Sequence, residues 1–135
     1  MRFVALFLLL YGVAGRADDH LDVVVKRLNS VGTFAFGGVG FTGVISKGEI
    51  DFKFVLSQPP PVALAAFEKL HAFGNPQAKP YALAGIRKLN LRRYGELLAA
   101  MGVSTDKVEV MRGCVITREP LQNVAKEINR GDFQF

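Results

Sequence analysis

Apolar side chains recur along this chain at intervals of three and four residues, interrupted by short runs of glycine and proline. Such spacing gathers them on one face of a helix. The pattern is clearest in Lys79–Gly102, KPYALAGIRKLNLRRYGELLAAMG, which predicts two helices with almost no loop between them. Pro80 suits a first helical turn, where its missing N–H costs nothing. Ala82, Leu83, Ile86 and Leu89 then form one stripe, with Tyr81, Ala84, Gly85 and Lys88 beside it. Gly85 lowers helix propensity by about 1 kcal/mol relative to alanine, so Ala84–Gly85 marks a place where another helix comes close. Asn90 reads as the stop of the first helix and the cap of the second. Leu91, Tyr94, Leu97, Leu98 and Met101 carry the next apolar face, Arg92 and Glu96 pair on the wet side, and Gly102 ends it.

The same reasoning runs along the rest of the chain. Leu21, Val24, Val25 and Leu28 predict a helix over Asp18–Asn29, although the β-branched run Val23–Val25 also permits a strand. Ser30–Gly43, SVGTFAFGGVGFTG, is a glycine-rich loop with Phe34, Phe36 and Phe41 tucked into the core. Ser46-Lys47-Gly48-Glu49 is a capping box in which Ser46 accepts from the third residue on and Glu49 reaches back. It opens a helix that turns Ile50, Phe54 and Val55 inward. Pro59–Pro61 starts another, with Val62, Ala63, Ala66, Phe67, Leu70 and Phe73 apolar and Glu68 and Lys69 wet. Val108–Met111 and Cys114–Ile116 read as a small hairpin or an extended packed segment around Arg112-Gly113. Pro120 opens a last helix through Leu121, Val124, Ala125 and Ile128, and Gly131 closes it. The tail Asp132–Phe135 frays, unless Phe133 or Phe135 docks.

Together these elements predict a mostly α fold. It is a compact array of about five helices in hairpin, HEAT-like pairs, with a glycine-rich loop and a short extended segment before the last helix. Ile50–Phe73 and Pro80–Met101 are helix pairs of similar length. Two such units are too few for a long solenoid.

The start of the chain changes this picture. Met1-Arg2, the apolar run Phe3–Val13 and the small residues that follow have the layout of a secretory signal peptide over residues 1–17, cleaved near Gly15 or Ala17. A buried strand or an uncleaved anchor is the other reading. The run is shorter than the ~20 residues a span needs, so no stable membrane span is expected after cleavage. Residues 18–135 then form a single secreted or periplasmic domain. The formal charge is +5, and it falls to +3 once Arg2 and Arg16 are removed. The remaining basic residues are scattered, apart from Arg87-Lys88 and Arg92-Arg93. No nucleic-acid partner is implied, because no basic stripe interleaves with aromatics. Association of those four cations with acidic envelope surfaces is a weaker idea.

Candidate chemistry is sparse. Gly38-Val39-Gly40-Phe41-Thr42-Gly43 is a literal G-x-G-x-x-G, but it lacks the preceding strand and following helix of a dinucleotide site. The lone cysteine, Cys114, excludes an internal disulfide. Beside Val115 and Ile116 it reads as a buried, inert thiol. The catalytic alternative pairs it with His71. His20 with Asp18 and Asp19 reads as a solvated helix cap rather than a metal site, and Glu49, Glu68, Glu96 and Glu109 are dispersed. No cofactor, metal or catalytic residue is expected.

GGVGF (Gly37–Phe41), SKGE (Ser46–Glu49), YALAG (Tyr81–Gly85) and MRGC (Met111–Cys114) resemble an uncharacterised family of small exported bacterial proteins, from about Val31 to Gly131. The resemblance implies export and helical content, and no activity. Its members carry a second cysteine where this chain has Ala84, which implies that Cys114 here lacks a disulfide partner. The functional expectation is a non-catalytic exported helical module that binds a protein or peptide. The proposed contact residues are Phe34, Phe36, Gly38, Gly40 and Phe41. The alternative is a small thiol or acid–base enzyme centred on Cys114.

Overall fold

The structure is a computed structural model that describes residues 19–135; the expected signal peptide lies outside the described residues. Helix α1 covers 19–29 and points Leu21, Val24, Val25 and Leu28 inward, which settles the helix-or-strand alternative. There follow β1 (Phe34–Ala35), β2 (Gly38–Val39), β3 (Val44–Ile45), α2 (Lys47–Leu56), α3 (Pro60–Phe73), α4 (Ala78–Leu89) and α5 (Leu91–Met101). The chain continues with β4 (Lys107–Arg112), β5 (Val115–Pro120) and α6 (Leu121–Arg130). The fold is mostly helical but not purely so. Among the described residues there are six helices and two small sheets, where about five helices and one extended segment were expected.

Helix α4 lies at the centre. It packs against α3, α5, α6, α2 and β1, and Pro80 through Gly85 and Ile86 are all buried. Through these turns the helix is covered on every side, so both predicted stripes go inward except at Lys88, which is exposed in the last turn. Gly85 does mark a close approach, because a Cβ there would overlap the ring of Phe67 on α3. Asn90 serves both helices. Its N–H donates to the Ile86 carbonyl at 2.7 Å, and its side-chain oxygen accepts from the Arg93 N–H at 3.0 Å.

Three apolar faces differ from the periodicity. Ile50 is exposed and Phe54 only partly buried; α2 buries Phe52 together with the expected Val55. Val62 and Phe73 on α3 and Leu91 on α5 are also exposed. Periodicity defines a stripe about a helix axis, but the neighbours decide where that stripe is cut off, and these residues sit at its margins. The capping box is half formed. Ser46 accepts from the Glu49 N–H at 3.1 Å. The buried Glu49 carboxylate accepts from the Gly37 N–H at 2.8 Å and pairs with Lys53 at 2.8 Å, rather than reaching back to Ser46. It thereby ties the glycine loop to α2.

The larger sheet has the order β1-β4-β5. β1 runs parallel to β4, with Phe34 beside Val110, and β4–β5 is an antiparallel hairpin. Phe34 and Phe36 belong to an aromatic cluster with Phe52, Tyr81, Phe133 and Phe135. The tail docks through Phe133, 4.9 Å from Phe34 between ring centroids, and Phe135, 4.8 Å from Phe36. The Tyr81 hydroxyl accepts from the Ala35 N–H at 3.0 Å, pinning β1 to α4. Burial pushes the Tyr81 phenol above its ordinary range.

Candidate functional site

The glycine-rich loop forms a second, smaller hairpin. β2 pairs antiparallel with β3, Val39 facing Val44. Gly40 begins the turn at φ +71°, a value that favours glycine. Gly38 permits a close approach, since a Cβ would lie 2.8 Å from the Gly43 carbonyl oxygen. The G-x-G-x-x-G is therefore hairpin geometry, not a phosphate cradle.

This arrangement divides the proposed contact residues. Phe34 is fully buried and Phe36 partly so, packed in the aromatic core. Gly38 and Gly40 shape the turn. Phe41, expected inside, stands entirely in solvent at the hairpin tip, because the left-handed glycines turn the chain away from the body before it can pack. Val44 and Ile45 are exposed beside it.

The tip of this hairpin is fastened to the tip of the other. The Gly40 N–H donates to the Gly113 carbonyl at 2.9 Å, and Gly113-Cys114 is the turn between β4 and β5. Cys114 is exposed rather than buried, since a two-residue turn at the end of a projecting hairpin has nothing to pack against. β5 is an edge strand, paired with β4 on one side only. Val115 is 62% exposed and Ile116 56%, and their side chains point to opposite faces, so both faces of the strand's first half meet solvent. Phe41, Val44, Val115 and Ile116 thus surround the joined tips.

On one face of the hairpin, Arg112 donates to Glu119 at 2.8 Å and to Glu127 of α6, and it lies over the Phe133 ring. These carboxylates hold its guanidinium charged, against the opposing effect of burial. The other face presents Lys107, Glu109 and Met111 of β4 opposite Pro120, Arg118 and Ile116 of β5.

His71 lies elsewhere. It lines an open cleft of about 370 Å³ with Lys79, Leu97, Met101, Ser104 and Asp106. Lys79 pairs with Asp106 at 2.9 Å. Burial, with Lys79 and Arg93 nearby, lowers the His71 pKa, so the imidazole is neutral at pH 7. Asp106 and Leu121 place this cleft at the base of the β4–β5 hairpin, whereas Cys114 is at its tip. Six residues of strand separate the two ends by about 17 Å, so the structure does not bring Cys114 and His71 together. Of the carboxylates expected to be dispersed, Glu68 and Glu96 meet on Arg93, while Glu49 serves the glycine loop and Glu109 lies on β4.

Three of the four clustered cations make hydrogen bonds to the fold, while Arg92 is almost fully exposed. Arg87 donates to the Asn129 carbonyl, Lys88 to the Phe135 carbonyl, and Arg92 and Arg93 pair with Glu96. Among the described residues, no group of three or more His, Cys, Asp or Glu is placed to hold a metal, and no helix is long and apolar enough to cross a membrane. Sequence reasoning missed the free edge of β5. Its signal was the run Val115-Ile116-Thr117, β-branched and without proline until Pro120. Compared with known protein families, with curated proteins and with solved structures, the chain matches none.

Proposed function

We propose that this chain is a non-catalytic module that acts after export and binds another protein or peptide as an added strand along β5, with Phe41 as a neighbouring anchor. The observation that carries this reading is the edge strand, exposed on both faces and flanked by apolar side chains at the joined tips. An unpaired edge offers a row of backbone donors and acceptors, and extended peptides use such edges by completing the ladder. The helix pairs α2/α3 and α4/α5, HEAT-like in layout, supply the rigid body behind it. The alternative, a thiol or acid–base enzyme centred on Cys114, loses the base proposed for it, because His71 sits at the far end of the hairpin.

The test is selection of peptides from a displayed random library, followed by amide chemical-shift mapping on the labelled protein. Binding should shift the amides of residues 113–118, and Phe41→Ser should weaken it several-fold. A library that yields no binder, or binders that map to the His71 cleft, overturns the proposal.

A further inference from the structure

Resting on the strand-addition reading, we infer that the segment taken up by β5 carries an apolar residue and, two positions along, an acidic one. The apolar residue packs on Ile116 beside the joined tips, and the acidic one meets Arg118.

Side chains alternate along a strand, so a segment added to β5 places every second residue on the face that bears Ile116 and Arg118. Those two lie about 7 Å apart, and a paired strand repeats at the same interval. Ile116 is exposed and apolar, and Phe41 and Val44 lie at the tips alongside. Arg118 is exposed as well. Glu109 stands opposite it on β4, but among the described residues the two form no ion pair. Lys107 on the same face leaves two cations against one carboxylate. This face therefore runs from apolar at the tip to positive toward the base, and a complementary segment runs from apolar to negative. The opposite face has the reverse balance, one cation, Arg112, against the two carboxylates Glu119 and Glu127, so the acidic preference belongs to the face of Ile116 and Arg118 alone.

The probe is a fluorescent eight-residue peptide of alternating Thr and Val that carries one Leu and, two positions away, one Glu. Both orders of Leu and Glu are made, and Lys replaces Glu as the charge control. Anisotropy is measured with the full chain. At low salt the Glu peptides should bind more tightly than the Lys peptides, by up to about fivefold, the upper end for an exposed cross-strand ion pair. High salt should erase the difference, and the better of the two orders reports whether addition is parallel or antiparallel. Arg118→Glu should reverse the preference, and Arg118→Gln should abolish it without reversal. Circular dichroism confirms that each variant folds. If Arg118→Glu leaves the preference intact while Ile116→Ser weakens every peptide, the acidic specificity is wrong and the strand-addition reading survives. If neither variant changes binding, both fall. If Arg118→Gln makes the protein dimerise in sedimentation, Arg118 serves to keep copies of this chain apart, and the inference is overturned.

Discussion

Replacing Gly85 by alanine sets two effects of opposite sign against each other at the centre of the fold. In an open helix this change stabilises by about 1 kcal/mol, because glycine loses more backbone freedom on folding. At Gly85, however, the new Cβ would fall inside contact distance of three atoms of the Phe67 ring. Phe67 is fully buried and stacks against Phe52 at 5.4 Å between centroids, so it has nowhere to retreat. Overpacking a filled core costs about 1–3 kcal/mol, and the net expectation is a loss of about 1 kcal/mol. Gly95 on α5 provides the control. It has open space around the built Cβ, so Gly95→Ala should gain about 1 kcal/mol. Urea unfolding should move the two midpoints in opposite directions with unchanged slope. Phe67→Leu combined with Gly85→Ala should then recover part of the loss relative to the sum of the single changes. If Gly85→Ala stabilises as much as Gly95→Ala, α3 does not approach α4 through Gly85, and the reasoning fails.

Other outcomes follow from single groups. Cys114 should react with iodoacetamide in the native protein at the rate of a free thiol and leave the melting temperature unchanged; a protected thiol would mean the β4–β5 turn is buried. His71 has a lowered folded pKa against about 6.5 when unfolded. Well above pH 6.5 both states are neutral. As pH falls below it the unfolded state takes the proton first, so stability declines until the folded pKa is passed. Comparing urea midpoints at about pH 7.5 and 5.5, His71→Gln should show a smaller decline than the parent; an identical decline would remove His71 from the cleft. Tyr94 donates to the Ala125 carbonyl at 2.5 Å, and burial pushes its phenol up to about 12. Tyr94→Phe should cost about 1 kcal/mol and remove a late-titrating phenol from the absorbance curve. In the parent, stability should drop as pH rises from about 10 towards 12, because only the unfolded phenol ionises there.

What the chain determined by itself is its local punctuation. Ser46, Asn90 and Gly131 cap their helices where their chemistry says they must, since a cap depends on a side chain or a φ value within a few residues. The last helix was legible for the same reason; the hairpin was one of two readings, and its turn lies at Gly113-Cys114, one residue beyond the expected Arg112-Gly113. The tertiary structure decided which side of each element faces inward. Phe34 and Phe41 are the same residue type seven positions apart, yet one is fully buried and the other fully exposed. The difference arises because β1 docks on β4, 76 positions away at Phe34–Val110, while the glycine turn carries Phe41 off the body. The exposure of Cys114 and the free edge of β5 were likewise left open, since the β-branched run Val115-Ile116-Thr117 marks a strand but not which side of it stays unpaired. Being at a tip or an edge is a relation to absent neighbours, and no local pattern records where packing stops.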